Sequence, residues 1–541
     1  MIKRYSLYIG SVILLTLASC ARVSSPTGGD EDEIPPTLIR SVPEPNQLNY
    51  HGDVIMLEFD EMVQTNQIES NLIITPKIEG SFRTKVNKTT VTLTFQEPLK
   101  DSTTYSLNFG NTIQDITNRN VPPNLSLSFS TGDYLDSLRI TGSIVDLYSQ
   151  DPIEDVLVTL YSDEDTTNIL NGSASYYTKT DTAGLFTFNN LPSKNFRIYA
   201  VDDENGNSKA DSDGEAYGFY PDTLKLNSNI NNVNFSIQKL NTKDLRLISG
   251  RHFATYYELT FNKAVDSFKL VNPATAVYNQ IAPDKIRFYQ TTEAIGDTTQ
   301  MIFEATDSLS VTLLDTANYY FSESEIEPKA LTTEIFPKTS SLKPNQEIRL
   351  RFDKPIKDFL PDSAFYYIDS TNIVSLKNTA FAWNHNRTEI TWPINITDYI
   401  TEPQQTLKLQ LRPQTFISYD LDTTKLIEKP FTIANKDEAA IIRGSVTSTS
   451  DNIIVQLLNA SSLNVISETT NKQFVFDYLP AGKYMVRVIE DLNQNGKWDI
   501  GNILTNTPPE PVTFYFDTYY KTSEIEVRKF WERDKIDILL R

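Results

Sequence analysis

Apolar and polar residues alternate with a period of two along much of this chain. The runs Val91-Thr92-Leu93-Thr94-Phe95, Tyr105-Ser106-Leu107-Asn108-Phe109, Leu125-Ser126-Leu127-Ser128-Phe129, Ile348-Arg349-Leu350-Arg351-Phe352, Ile390-Thr391-Trp392 and Leu407-Lys408-Leu409-Gln410-Leu411 all show it. Successive side chains of a strand point to opposite faces, so each run turns one face to a core and the other to water. The runs are short and are separated by Pro, Gly, Asn and Asp clusters, the pattern of antiparallel sandwiches. Helical periodicity is hard to find beyond the first twenty residues. A chain of 541 residues has room for four or five domains of roughly 100–150 residues, and 27 tyrosines and 28 phenylalanines supply material for their cores. The expected fold class is all-β, a tandem array of antiparallel β-sandwiches.

The first residues read as an address. Lys3 and Arg4 precede an apolar stretch, Tyr8-Ile9-Gly10-Ser11-Val12-Ile13-Leu14-Leu15, and then Leu17-Ala18-Ser19-Cys20. A charged start, a short apolar core and small residues before a break describe a secretory signal too short to span a bilayer. Leu17-Ala18-Ser19-Cys20 resembles the lipobox of bacterial lipoproteins. The resemblance implies that residues 1–19 are a lipoprotein signal peptide and that Cys20 is acylated, anchoring the chain to a membrane through lipid alone. An ordinary signal peptide with an incidental cysteine is the alternative. Residue 21 is alanine, not the aspartate that resembles an inner-membrane retention signal. Residues 20–35 are rich in Ser, Gly, Pro and acid, which cannot bury a core, and read as a flexible tether. Its run Asp30-Glu31-Asp32-Glu33 resembles the surface-export signal of Bacteroidota lipoproteins and implies an outer-membrane protein facing the cell exterior.

Two kinds of unit repeat. One carries Ser41-Val42-Pro43-Glu44-Pro45-Asn46 and then Met56-Leu57-Glu58-Phe59-Asp60-Glu61-Met62-Val63. It returns as Ile335-Phe336-Pro337 with Lys343-Pro344-Asn345, then Ile348 to Ile356, and more faintly as Tyr257-Glu258-Leu259-Thr260-Phe261-Asn262-Lys263-Ala264-Val265. This pattern resembles the bacterial Ig-like domains first recognised in S-layer proteins, over 36–132, 333–436 and, in divergent form, 243–332. The other unit opens with Ile140-Thr141-Gly142-Ser143 or Ile442-Arg443-Gly444-Ser445. It continues through Phe186-Thr187-Phe188-Asn189-Asn190-Leu191-Pro192 or Phe474-Val475-Phe476-Asp477-Tyr478-Leu479-Pro480 into a strand with an aromatic residue. It resembles the transthyretin-like sandwich of carboxypeptidase regulatory domains and of the B repeats of Gram-positive adhesins, over 138–240 and 440–530. Residues 531–541 are then expected to be a C-terminal tail.

Candidate chemistry is sparse. With 49 basic and 70 acidic residues the net charge is −21, which argues against binding nucleic acid or acidic membranes through charge. One cysteine allows no disulfide within the chain. His51, His252 and His385 stand far apart and outside any metal-binding spacing. No Gly-x-Ser-x-Gly elbow or phosphate-binding glycine loop occurs, so a non-enzymatic role is expected. The best candidate sites are two acidic loops. Asp491, Asn493, Asn495, Gly496 and Asp499 fall at positions 1, 3, 5, 6 and 9 of an EF-hand-like spacing, with Asn502 in place of the final glutamate. Asp203, Asn205, Asn207 and Asp211 repeat the spacing, with Ser208 for the glycine and with Asp213 and Glu215 nearby. These eight ligand positions suit calcium in low-affinity sites, as in adhesin B repeats. Turns built by Asn, Asp and Gly explain the same residues without a metal, and no cofactor is required. Trp383 and Trp392 are candidate exposed sugar platforms, and because Trp392 continues an alternating strand a core position is the better reading for it. Trp498 and Trp531 are candidates for partner contact, with local packing as the alternative.

Such a lipoprotein is expected to be a scaffold or interaction protein, a subunit of an outer-membrane transport or barrel-assembly complex with an outer-membrane protein as partner. The alternative is an autonomous adhesin that binds glycans or a host surface.

Overall fold

The computed structural model describes residues 32–540 except 211–213, 240, 274–275, 292–297, 323–324, 326–328, 344–345, 369–372, 379–380 and 393–405. The signal peptide, Cys20, Asp211, Asp213 and most of the tether lie outside the described residues.

The chain is an all-β series of antiparallel sandwiches, each closed around its own apolar cluster. In the first, Leu38–Val42, Val54–Phe59, Thr90–Phe95 and Phe82–Asn87 form one sheet in that order, and Ile73–Thr75, Thr104–Asn108 and Ser126–Ser130 the other. Every second residue of Val54–Phe59 is buried, so Ile55, Leu57 and Phe59 meet Leu107, Leu127 and Phe129 in the core. The first sheet's order recurs twice. It is Leu247–Phe253, Tyr256–Phe261, Lys285–Tyr289 and Val277–Ala282 in the third sandwich, and Thr333–Phe336, Ile348–Phe352, Glu389–Trp392 and Ala382–Trp383 in the fourth.

The second and fifth sandwiches share a different plan. Leu138–Asp146 lies between Leu185–Leu191, antiparallel, and Ile230–Lys239, parallel. Ala440–Thr447 lies in the same way between Gln473–Leu479 and Glu532–Leu539. The glycine of each Ile-x-Gly-Ser motif sits where these three strands converge. A Cβ on Gly142 would stand 1.9 Å from the Val233 carbonyl oxygen, and one on Gly444 would stand 1.9 Å from that of Ile536 and 2.5 Å from the Phe474 ring.

The expected C-terminal tail at 531–541 is corrected here. Glu532–Leu539 is the closing strand of the fifth sandwich, with Ile536 and Ile538 in its core. The register breaks between Ile442 and Gly444, opposite Asp534 and Lys535, and Lys535 has φ +63°. The bulge leaves only two positions, Ile536 and Ile538, facing the core, too few to read as a strand from alternation.

The second sandwich has a further apolar layer outside its main core. Leu157, Tyr161, Tyr199, Tyr217 and Phe219 form it together with Ile169. Strand Leu157–Ser162 is therefore buried on both faces, which is why its sequence does not alternate.

Candidate functional site

Both acidic loops follow a strand buried in its sandwich, Asn195–Val201 and Gly482–Glu490. They fold alike. Asp491 accepts hydrogen bonds from the Asn495 N–H at 3.1 Å and the Gly496 N–H at 2.9 Å. Asp203 accepts from Asn207 at 3.1 Å and Ser208 at 2.8 Å. The next amides act in the same way: Asn493 and Asn205 each accept from the N–H two residues on, at 3.0 Å. Positions 4 and 6 are left-handed in both loops, Gln494 and Gly496 in one, Gly206 and Ser208 in the other. Glycine fills one of the two strained positions in each loop, a different one each time.

The second loop is closed by a carboxylate that the spacing did not reveal. Glu510 is buried and accepts from the Leu492 N–H at 2.7 Å and the Asp499 N–H at 3.0 Å. The Asp499 carboxylate in turn accepts the side-chain N–H groups of Asn493 at 2.5 Å and Asn495 at 2.7 Å. Those amides direct nitrogen, not oxygen, at Asp499. Among the described residues no three His, Cys, Asp or Glu converge as a metal site. The donor set still fits calcium in kind, because Asp491, Asp499 and Glu510 supply carboxylates and the two asparagines supply amide oxygens if they turn. In the described geometry the loop is held by its own hydrogen bonds. The missed signal was Glu510 within Pro508-Pro509-Glu510-Pro511, a carboxylate in a stretch too rigid to be a mere solvated face.

This loop is also a contact between sandwiches. Trp498 donates its indole N–H to the Glu510 carbonyl at 3.2 Å and meets the Tyr148 ring edge-on at 5.6 Å. The Arg487 guanidinium lies 4.5 Å from the centre of the Trp498 ring, and burial holds its pKa below the usual arginine value. Ile503 packs on the outer apolar layer of the second sandwich. Asn506 reaches the Pro221 carbonyl at 3.0 Å and Asn502 that of Leu309 at 2.7 Å. The fifth sandwich therefore rests on the second and third, and Trp498 serves a contact within the chain.

The other tryptophans divide as follows. Trp392 is fully buried. Trp383 is half-buried against Phe352, Phe359 and Phe416, with Arg387 over its ring, so its faces are not an open platform. Trp531 stays 40% exposed between Arg528 and Arg533. His51, His252 and His385 fall in three different sandwiches, and His252 stacks on Tyr320 at 4.2 Å.

Comparison with known proteins identifies a bacterial Ig-like domain at residues 32–131. A search of curated proteins finds no match. Among solved structures, the TIE protein of Bacillus anthracis is 9% identical, with 98% of this chain and 77% of that chain covered and a TM-score of 0.13. Domains 1–6 of the surface layer protein SbsC are 11% identical, with 91% and 68% covered and a TM-score of 0.16. The major pilin subunit of Bacillus cereus is 10% identical, with 73% and 99% covered and a TM-score of 0.12. The chain thus carries a bacterial Ig-like domain within an all-β array.

Proposed function

We propose that the chain is a non-enzymatic lipoprotein, anchored through Cys20 to the outer membrane and displayed on the cell exterior. It acts there as a scaffold or interaction subunit of a transport or barrel-assembly complex. The observation that carries this reading is the serial array of separately cored sandwiches following a lipobox-like cysteine. Rigid sandwiches set spacing while their loops and edges present contacts. The test is to purify the tagged chain from native membranes in mild detergent and identify what comes with it. A stoichiometric outer-membrane protein is expected. Bait alone, under conditions that keep a known complex intact, would refute the assembly reading. Cys20→Ser should release the chain from the membrane fraction.

One feature favours the second reading, a glycan-binding surface protein. A groove of about 1040 Å³ runs between the first and second sandwiches. Its lining is mostly amide and hydroxyl, including Asn46, Ser106, Asn124, Thr187 and Asn189, with Arg139, Lys179 and Asp181 as its charges. A groove lined mostly by uncharged hydrogen-bonding groups suits a polyhydroxylated ligand, and binding to a glycan panel that is lost in Asn189→Ala would support it. Calcium is proposed for the Asp491 loop, with Asn493 and Asn495 turning their amide oxygens to the ion, and in weaker form for the Asp203 loop.

A further inference from the structure

The third and fourth sandwiches each bury a lysine two residues after the phenylalanine that ends a core strand. Lys263 follows Phe261, and its ammonium meets the Asp307 carboxylate, the Lys243 carbonyl and, at 3.2 Å, the Asn241 carbonyl. Lys354 follows Phe352 and meets Asp420 at 2.9 Å, Asp422 at 3.0 Å and the Lys329 carbonyl at 2.5 Å. Each lysine ties the incoming linker to an acidic turn across the sandwich. The backbone frame around it is the same in the first, third and fourth sandwiches. The residue before the lysine position accepts the linker N–H and donates its own N–H back. These pairs are Asp60 with Thr37, Asn262 with Arg246 and Asp353 with Thr332.

In the first sandwich the lysine position holds Glu61. The facing turn carries Asp115, buried and held by the N–H groups of Asn118, Arg119 and Asn120. One linker carbonyl, that of Asp32, is taken by the Asn120 side chain at 2.6 Å. Burial, and then the charges of Asp115, Asp32 and Asp60, push the Glu61 carboxyl above its usual range. Lys88 and Arg119 lie on adjoining turns, yet among the described residues no ion pair joins any cation to Asp32, Asp60 or Glu61. Beside these acids stand three exposed aliphatic side chains. Ile34, Met62 and Ile116 are 73%, 55% and 53% accessible, and the Ile116 N–H bonds the Met62 carbonyl at 3.2 Å.

We propose that this end of the first sandwich docks a membrane-protein partner that presents a lysine or arginine beside apolar side chains. The partner's cation takes the role that Lys263 and Lys354 play within their own sandwiches. Grouped aliphatics mark contact surfaces, and uncompensated acids select a basic complement. An anionic bilayer surface would be repelled by the same acids. Placing the partner in the membrane rests on the lipid-anchor reading. Residues 20–31 separate Cys20 from the first described residue, a reach of at most about 40 Å.

The test uses the full lipidated chain in native membranes. Glu61→Lys supplies the internal cation, so it should raise the melting temperature while lowering the co-purified partner at least about tenfold. Met62→Ser should also weaken capture with the fold intact. A photo-crosslinker at position 62 or 116 should join that same partner. The proposal is overturned if both variants retain the partner at the unmodified level. It is overturned equally if the crosslinks go to lipid or to a second copy of the chain. If the unmodified chain brings down no protein, the assembly reading itself fails, and this surface with it.

Discussion

Gly444→Ala puts the architecture of the fifth sandwich to a direct test. The added methyl would stand 1.9 Å from the Ile536 oxygen, 2.7 Å from its carbonyl carbon and 2.5 Å from Phe474 Cζ. Real contacts of this kind need more than 3 Å, so strand Glu532–Leu539 must retreat by over 1 Å. Hydrogen bonds near 2.9 Å would then stretch past 3.5 Å along the pairing from Gly444 to Thr447. Losing two or three of them costs about 1 kcal/mol each, and overpacking against Phe474 adds about 1–3 kcal/mol. The expected loss is about 3–6 kcal/mol, or more than about 12 °C for a domain of this size. Calorimetry of the whole chain should resolve more than one transition, since separately cored domains need not melt together. The transition of the fifth sandwich should fall while the others stay. Gly142→Ala should do the same to the second sandwich, because Val233 O is equally close. Gly482→Ala is the control: its nearest neighbour is Tyr484 at 3.5 Å, an ordinary contact, and its melting should move by less than about 0.5 kcal/mol. If Gly444→Ala melts with the parent, the three strands do not converge on that glycine and the reasoning fails.

Other consequences are as direct. Lys354→Met leaves Asp420 and Asp422 uncompensated, so the fourth sandwich should lose about 3–5 kcal/mol by denaturant titration. Burial alone would lower the pKa of Lys354, but its two carboxylates outweigh burial and raise it. The contribution of this lysine is therefore complete below the ordinary lysine value and is lost as pH rises through the folded one. Stability of the fourth sandwich should hold to about pH 10 and fall above it, and Lys354→Met should flatten that fall. Ile503→Asp places a carboxylate against the outer layer of the second sandwich. It should free the fifth sandwich from the second, seen as a larger radius of gyration in solution scattering, and an unchanged radius would refute the contact. Millimolar calcium should raise the melting of the fifth sandwich in the parent and not in Asp491→Asn. An unmoved transition would leave the loop as a turn alone.

The alternating runs were the most legible part of the fold, because a sheet with one dry face imposes a period of two on the sequence. Val91 to Phe95 and Ile348 to Phe352 each lie in a strand with every second residue buried. Legibility failed where that condition fails. Leu157–Ser162 is dry on both faces, so its pattern reflects an extra layer that no local rule reveals. Glu532–Leu539 carries a bulge that hides its alternation. The acidic loops announced their turns through Asp, Asn and Gly, since those residues close the loop by local hydrogen bonds. Glu510 stayed hidden because it joins the loop from 11 residues beyond Asp499, across a fold that spacing cannot encode. Trp498 read as a candidate for partner contact, and the structure instead packs it within the chain on Tyr148, 350 positions away.

The first, third and fourth sandwiches show how a repeated frame makes a single departure meaningful. Where a lysine sits two residues after the strand-ending phenylalanine, it is buried and the acids around it are neutralised within the sandwich. Its burial carries a desolvation cost that only close carboxylates and carbonyls offset. A glutamate at that position reverses the charge and faces Asp115, Asp32 and Asp60 with no cation among them, so the carboxylates repel one another. A chain selected only for stability would gain by restoring the lysine, since the frame to receive it is intact in Asp60 and Thr37. The cost of keeping Glu61 falls at the one end of the array nearest the tether, beside three exposed aliphatics. Glu61→Lys therefore separates the two explanations in one measurement pair. A variant that gains stability and keeps its partner makes Glu61 an accident of sequence, whereas gained stability with lost capture makes it the reason that surface exists.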